Sequence, residues 1–300
     1  MSLAPKYAYY PGCSGQSTSS EYEISTRAVC KALGLELVDI PDWSCCGSTP
    51  AHTVDHVLSA ALAARNLELA KAAGFDTVVT PCPSCLTNLK TAVHRMEDPG
   101  FRDKVNKLLD RPFTGGVQAK SVLQVIFEDI GPVRLKAMVR KPLTGLRLAP
   151  YYGCIMNRPP EVMQFDDPEN PISIDRLMEA LGAEVAPFPL KVECCGASFG
   201  VARKDVVTHL SGKLLRVAES IEAQAFVTAC PLCQMNLDLR QSQINMAAKT
   251  KHNLPVFYYT QLIGVALGMA ETDLGLHKLV VSPKEVLARI GQKQPVAANQ

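Results

Sequence analysis

The chain carries one cysteine pattern twice, and this duplication constrains its fold more than any other feature. The two copies read Cys13-x31-Cys45-Cys46-x35-Cys82-x2-Cys85 and Cys154-x39-Cys194-Cys195-x34-Cys230-x2-Cys233, where x counts intervening residues. The flanking residues repeat as well, since WSCCGS at 43–48 matches VECCGAS at 192–198, and TPCPSCLTNL at 80–89 matches TACPLCQMNL at 228–237. Of the 11 cysteines, only Cys30 lies outside the pattern. Repetition at this scale predicts two units of similar structure.

The segments between the cysteines alternate strand-like and helix-like patterns, in the same order in both halves. Predicted strands cover 6–10, 35–40 and 77–80 in the first half, and 146–151, 184–188 and 225–228 in the second. Predicted helices cover 19–34, 53–73, 172–182 and 203–222, and a further strand followed by a helix covers 256–270. Strands that alternate with helices of this length predict α/β units with largely parallel sheets.

The predicted fold is therefore α/β, with two pseudo-duplicated lobes. Each lobe has a small, mostly parallel sheet flanked by helices, with its cysteines at one edge. The predicted boundaries are 1–110 for the first lobe and 146–282 for the second. Connector helices at 121–130 and 132–140 fill the segment 111–145 between them, and a C-terminal tail covers 283–300.

Composition narrows the class of protein. A hydrophobic content of 47% and a charged content of 20% suit a globular chain, and a net charge of +2 provides no electrostatic case for nucleic-acid binding. No apolar run reaches the length of a membrane span, and the N-terminus has no secretory signal pattern. We therefore expect a cytoplasmic protein. Because that compartment keeps thiols reduced, 11 cysteines indicate metal binding or redox chemistry rather than disulfides.

The positions of the cysteines suit a shared ligand. Each cysteine segment follows a predicted strand, and the carboxyl ends of parallel strands meet at one edge of a sheet. Cys82 and Cys230 stand at predicted helix starts, followed by proline in the first turn, where unpaired N–H groups stabilise thiolates. A single zinc takes four ligands, which leaves one cysteine over in each half. A polynuclear iron–sulfur cluster accommodates adjacent thiolates, and Gly47 and Gly196 let each pair turn towards one object.

Both copies resemble the cysteine-rich CCG domain that defines the B subunit of heterodisulfide reductase, from YYPGC at 9–13 to GLHKL at 275–279. This resemblance implies two noncubane 4Fe–4S clusters, each bound by five cysteines. The implied ligands are Cys13, Cys45, Cys46, Cys82 and Cys85 for the first cluster, and Cys154, Cys194, Cys195, Cys230 and Cys233 for the second.

The resemblance also implies an activity and partners. It points to an oxidoreductase subunit that reversibly cleaves or forms a disulfide, or a related thiol or persulfide, at the two clusters, with no separate acid or base assigned. The implied partners are a ferredoxin-like C subunit, which exchanges electrons directly, together with a flavoprotein A subunit. No flavin or NAD is expected in this chain, which lacks a glycine-rich dinucleotide fingerprint.

Two other functions fit the motifs. One is an electron-transfer subunit of a quinone-linked succinate-, lactate- or glycolate-type dehydrogenase, and the other is a zinc-stabilised scaffold.

Outside the motifs, Lys191 and Arg203 flank the second cysteine pair, where they either attract an acidic substrate or stand on solvated loops. Cys30 lies on an apolar helix face and is expected in the core.

Overall fold

Two parallel four-stranded sheets form the framework of the protein. The computed structural model describes residues 5–48 and 50–292, so residues 1–4, Thr49 and the end of the predicted tail from 293 lie outside the described residues. The first sheet contains β1 Lys6–Tyr9, β2 Glu36–Asp39, β3 Thr77–Thr80 and β4 Gln118–Ser121. The second contains β5 Arg147–Tyr151, β6 Glu184–Val185, β7 Ala225–Thr228 and β8 Val256–Tyr258. The strand orders β2-β1-β3-β4 and β6-β5-β7-β8 are equivalent, which confirms the predicted duplicated α/β fold.

Helices cover the sheets and join the lobes. They are α1 Gly12–Gly15, α2 Ser20–Leu33, α3 Pro50–Val54, α4 His56–Ala72, α5 Pro83–Arg95, α6 Pro99–Asn106, α7 Val122–Val125, α8 Gly131–Met138, α9 Pro160–Met163, α10 Ser173–Ala180, α11 Lys204–Ser220, α12 Pro231–Leu237, α13 Gln241–Ala248, α14 Tyr259–Ala266 and α15 Lys284–Leu287. A π-helical turn, Ile126–Ile130, links α7 to α8, and 3-10 turns cover Ala197–Gly200, Glu271–Leu274 and Leu276–Lys278. Across residues 5–48 and 50–292, every helix is too short or too polar to span a bilayer.

Local sequence explains most element boundaries. The central strands β3 and β7 read TVVT and AFVT and are buried at every position, as expected for parallel strands covered on both faces. The predicted helix over 53–73 is split in the structure, because the Asp55 carboxylate accepts hydrogen bonds from the N–H groups of Val57 and Leu58. Asp55 is therefore a helix N-cap that starts α4.

Strand β4 was not predicted from the sequence. It lies within the segment assigned to the connector, pairs in parallel with β3 and completes the first sheet. Its sequence, QAKS, is polar and short, so it carries no clear alternation of apolar residues. The helices predicted over 121–130 and 132–140 are present as α7, the π-helical turn and α8.

The two lobes share one hydrophobic core in addition to the core of each lobe. Helix α2 of the first lobe packs against α14, which closes the second lobe, and α10 of the second lobe packs against α7 and α8, which follow β4. The Tyr22 ring of α2 stacks on Tyr258 with centroids 3.9 Å apart, and its hydroxyl donates to the Ala229 carbonyl oxygen at 3.1 Å. Ser25 and Thr260 join the same two helices with a hydroxyl contact of 2.8 Å. This reciprocal packing fixes the position of one lobe relative to the other.

We expect Tyr22→Ala to lower the free energy of unfolding by about 3–5 kcal/mol, because it removes a fully buried ring from the shared core. Tyr22→Phe keeps the ring and removes only the hydroxyl, so it should cost about 1 kcal/mol. Chemical denaturation of both variants under anaerobic conditions measures the difference. Equal stability of Tyr22→Ala and wild type would show that the lobes do not depend on this contact.

Candidate metal centres

Sheet topology explains where the cysteines gather. In the first sheet, β2 lies on one side of β1, whereas β3 and then β4 lie on its other side. The strand order therefore reverses between β1 and β3. Such a reversal leaves a crevice at the carboxyl ends of the two strands, where α/β proteins bind ligands. Cys13 follows β1 and Cys82 follows β3, so they flank this crevice. Cys154 and Cys230 take the equivalent places after β5 and β7.

The first set of five cysteines is brought together. The Sγ atoms of Cys46 and Cys85 lie 3.5 Å apart, and the thiols of Cys82 and Cys85 are close enough to shift each other's pKa. Cys13 lies within electrostatic range of Cys45, Cys46 and Cys82. Cys46, Cys82 and Cys85 are buried, whereas Cys13 and Cys45 are exposed. The first site therefore has a buried base and an open rim.

The second set of five cysteines has the same arrangement. The Sγ atoms of Cys195 and Cys233 lie 3.7 Å apart, and Cys230 is close enough to raise the pKa of Cys233. The Cys154 thiol contacts that of Cys194. Four of the five line one small cavity of about 50 Å³, together with residues that include Ser84 of the first lobe. Cys154 and Cys194 are only partly exposed, so this site is more enclosed than the first.

Close packing of thiols separates their pKa values. The hydrogen bond from Cys85 lowers the pKa of Cys82 to about 7, and contact with Cys154 lowers the pKa of Cys194 to about 6. The pKa of Cys85 shifts the other way, because its interactions with Cys46 and Cys82, together with burial, raise it well above its usual range. A thiol cluster of this kind holds some sulfurs as thiolates near neutral pH, and thiolate is the form that binds metal.

Backbone N–H groups point at the paired cysteines. The N–H of Gly47 lies 3.4 Å from Cys45 Sγ, and that of Gly196 lies 3.3 Å from Cys194 Sγ. Both glycines have positive φ, +77° and +94°, as anticipated from the sequence for a loop that turns two adjacent sulfurs towards one side. The predicted N-caps are also present, with Cys82 before Pro83 of α5 and Cys230 before Pro231 of α12.

Four supporting residues were not predicted from the sequence. The hydroxyls of Tyr10 and Tyr151 each donate at 2.7 Å to the carbonyl of the residue just before a cysteine pair. The side-chain amide of Asn88 donates to the Cys46 carbonyl, and that of Asn236 contacts Cys195 Sγ at 3.4 Å. The repeated sequence could have identified these four residues. In each half, the tyrosine lies three residues before the first motif cysteine, and the asparagine lies three residues after the last one. These side chains hold the loop of each cysteine pair in place.

Two basic residues near the second pair have partners that the sequence did not indicate. The ammonium group of Lys191 is largely buried, where it pairs with the Asp175 carboxylate and donates to the Pro171 carbonyl. It is therefore neither a substrate-attracting group nor a solvated one. Arg203 is exposed and pairs with Asp205 at 2.7 Å. Cys30 is buried in the core shared by the lobes, as expected.

The donor set suits a sulfur-bound centre larger than a single ion. Each site offers five thiols, and soft thiolate ligands favour iron–sulfur clusters, copper(I) and zinc. Gly12 and Gly153 let a sulfur pack closely against the backbone, because a Cβ at either position would lie 2.9 Å from Cys85 Sγ or Cys233 Sγ. The five-thiol sets thus fit a polynuclear group.

A larger cavity of about 260 Å³ lies between the two sites. Its wall includes residues within two positions of cysteines in both lobes: Ser48, Ser84, Ile155, Ala197 and Leu232. The lobes meet here directly, because Thr87 Oγ1 of α5 lies 3.2 Å from the Ile155 carbonyl oxygen, one residue beyond Cys154. One ligand in this cavity would be close to both cysteine sets.

The fold and the paired sites define a duplicated cysteine-rich protein, and comparison with known proteins identifies the family. The CCG model, "Cysteine-rich domain", matches residues 7–90 and 148–238. The chain is 35% identical to the 8-methylmenaquinol:fumarate reductase membrane anchor subunit of Wolinella succinogenes, over 93% of this chain and 98% of that protein. It is 33% identical to a protein of Archaeoglobus profundus that is similar to the B subunit of heterodisulfide reductase, over 95% of this chain and 98% of that protein. The chain therefore belongs to the CCG-domain family that includes this B subunit, as an iron–sulfur subunit of an oxidoreductase.

A solved structure shares the fold. The crystal structure of a hypothetical protein from Helicobacter pylori superimposes with a TM-score of 0.76 at 13% identity. The match covers 92% of this chain and 52% of that one, so the chain spans about half the length of that structure. The likeness shows that both halves of the present chain adopt a known arrangement.

We expect Gly12→Ala and Gly153→Ala each to lower the bound iron by about half, because the new methyl group would press on a sulfur of one site only. Gly74→Ala is a matched control: its φ is +87°, as strained for alanine as +71° and +75° at the other two, but no atom lies within 4 Å of its Cβ position. Iron content per chain is the measurement. Equal iron in all three variants would show that neither glycine shapes a metal centre.

Proposed function

We propose that the chain is the subunit of an oxidoreductase complex that reversibly cleaves or forms a disulfide, or a related thiol or persulfide, between two noncubane 4Fe–4S clusters. The first cluster would be held by Cys13, Cys45, Cys46, Cys82 and Cys85, and the second by Cys154, Cys194, Cys195, Cys230 and Cys233. The observation that carries the proposal is a cavity of about 260 Å³ whose wall contains residues close in sequence to the cysteines of both sites.

The chemistry of disulfides suits this geometry. When bound, iron–sulfur clusters supply one-electron redox chemistry, and cleavage of a disulfide takes two electrons. The chain contributes the surroundings of the bond. Ile155 and Leu232 are apolar and exclude water beside the second site, while Ser84 and Thr91 of the first lobe present hydroxyl groups to a polar substrate.

The proposal includes partners. A relative whose name likens it to the B subunit of heterodisulfide reductase supports a multi-subunit complex. In this complex a ferredoxin-like C subunit, together with a flavoprotein A subunit, would deliver or accept electrons. Because residues of both lobes line the cavity, one substrate molecule would contact both lobes. We place this complex in the cytoplasm on the basis of the sequence.

Protein purified without oxygen should contain about eight irons and about as many sulfides per chain. Cys45→Ser should remove the paramagnetic signal of one centre and Cys194→Ser that of the other, while Cys30→Ser, a change in the shared core, should leave both signals. Iron and sulfide quantification with paramagnetic resonance is the measurement. Zinc with little iron would instead favour a zinc-stabilised scaffold.

A second function is favoured by one observation. The relative that is 35% identical is named as part of an 8-methylmenaquinol:fumarate reductase, which supports an electron-transfer subunit of a quinone-linked dehydrogenase. In that case the clusters would pass electrons between a quinone and a partner dehydrogenase, and no sulfur substrate would occupy the cavity.

Thiols and quinones separate the two functions. If the cavity binds a sulfur substrate, thiol added to the oxidised protein should change its paramagnetic resonance spectrum, because the sulfur lies beside both centres. If the chain serves quinone, a water-soluble naphthoquinol should reduce the clusters while thiols leave the spectrum unchanged. A response to quinol alone would reject the disulfide proposal.

A further inference from the structure

We propose that Arg240 raises the reduction potential of the second metal centre above that of the first, so that an electron entering the chain settles at the cysteines of the second lobe. This inference rests on the proposed clusters at both cysteine sets, and it holds whether the complex acts on a disulfide or on a quinone. It adds the residue that sets the order in which the two centres take up electrons.

A hydrogen-bonded path joins Arg240 to a cysteine of the second site. Arg240 Nε donates to Asn236 Oδ1 at 3.2 Å, and Asn236 Nδ2 lies 3.4 Å from Cys195 Sγ. A single amide group therefore separates the guanidinium from the sulfur. Because consecutive hydrogen bonds polarise one another, the cation strengthens the N–H group that faces the sulfur. Arg240 is thus a positioning residue that acts on the site through Asn236.

The guanidinium group of Arg240 is held in place at the start of α13. Its Nη1 donates to Gln243 Oε1 at 3.2 Å, and a Cβ at position 200 would lie 2.5 Å from its Nη2. Gly200 therefore lets the guanidinium lie against the 3-10 turn that follows the second cysteine pair. The side chain is half-buried, so water screens its charge only in part.

Arg240 is a cation without an acidic partner. Within residues 5–48 and 50–292 it forms hydrogen bonds to amides but no ion pair. The charged side chains nearest the second cysteine pair in sequence are each in an ion pair: Lys191 with Asp175, Glu193 with Lys213, and Arg203 with Asp205. Among the described residues, therefore, no carboxylate cancels the charge that Arg240 brings to this site.

The first site lacks the equivalent cation. In the repeat, the asparagine is followed four residues later by Arg240 in the second lobe and by Ala92 in the first. The first asparagine also has different partners, because the Asn88 amide donates to the Cys46 carbonyl and lies 3.3 Å from Ser59 Oγ. The two sites thus differ by one positive charge and by one side-chain hydrogen bond to a sulfur.

Both differences favour reduction at the second site. Reduction adds a negative charge to the group that the cysteines hold, and a nearby cation stabilises that charge, as does a hydrogen bond to a ligand sulfur. The second site is also the more enclosed, since Cys154 and Cys194 are only partly exposed. Enclosure by itself disfavours an added charge, but it also strengthens the attraction of Arg240 for that charge.

A redox titration of the whole chain tests this inference. Anaerobically purified protein is reduced stepwise with dithionite and followed by paramagnetic resonance, and the signal that is lost in Cys194→Ser identifies the second centre. In wild type, this centre should be reduced at a higher potential than the first. In Arg240→Gln, its ratio of reduced to oxidised form at a fixed potential should fall about tenfold, or about 59 mV for one electron, while the first centre is unchanged.

Variants separate the charge of Arg240 from its hydrogen bond. Glutamine can still donate to Asn236, so Arg240→Gln removes the charge and keeps a donor, whereas Arg240→Lys keeps the charge and should retain most of the wild-type ratio. Arg134→Gln is the matched control, because it removes the same charge from an exposed position of α8 and should change neither centre. All three variants should keep the iron content and thermal stability of wild type.

The outcomes separate this inference from the proposed function. If Arg240→Gln leaves the potential of the second centre unchanged, if Arg240→Lys lowers it as much as Arg240→Gln does, or if the first centre of wild type is reduced first, the role of Arg240 is rejected and the clusters stand. Loss of iron in both Arg240 variants would show a structural role and would also reject it. If the wild-type chain binds no iron, the proposed function fails and the inference fails with it.

Discussion

The parallel order of strands is the constraint on which the rest of the structure depends. Because β1 and β3 run in the same direction and the chain leaves them towards opposite sides, the residues after both strands meet over one crevice. Three segments that are far apart in sequence, each ending in cysteine, are thereby delivered to one place. The same order in the second sheet repeats the result. No single helix or hairpin would gather five thiols whose segments are separated by more than 30 residues.

Sites built in this way need support from side chains that are not ligands. The loops of the cysteine pairs have little regular structure, and hydrogen bonds from Tyr10 and Tyr151 to their backbone hold them at the sheet edge. The asparagines of α5 and α12 reach the same loops from their own helices. Groups that orient ligands in this manner tune a metal centre as well as position it. Their occurrence in both lobes shows that the support is part of the repeated unit.

Much of the fold and of the candidate site could be predicted from the sequence, for identifiable reasons. Repetition made the two lobes visible, and the proline after Cys82 and Cys230 marked two helix starts correctly. Strand β4 was missed because its short, largely polar sequence, QAKS, carries no periodic signal. The break at Asp55 was missed because one cap residue interrupts a pattern that otherwise reads as continuous.

The partners of the charged side chains were harder to predict than the helices and strands. Lys191 drew attention by its position in sequence, yet the structure pairs it with Asp175.

The reciprocal packing of helices has a consequence for the origin of the chain. Helix α2 covers α14 of the other half, and α10 covers α7 and α8, so each half buries an apolar helix face only with the help of its counterpart. A protein made of one such half would expose this face, and two identical copies would cover each other about a two-fold axis. The two halves of the present chain are thus packed as two copies related by a two-fold axis would be, and they differ mainly in their loops, such as the longer segment that follows Cys154.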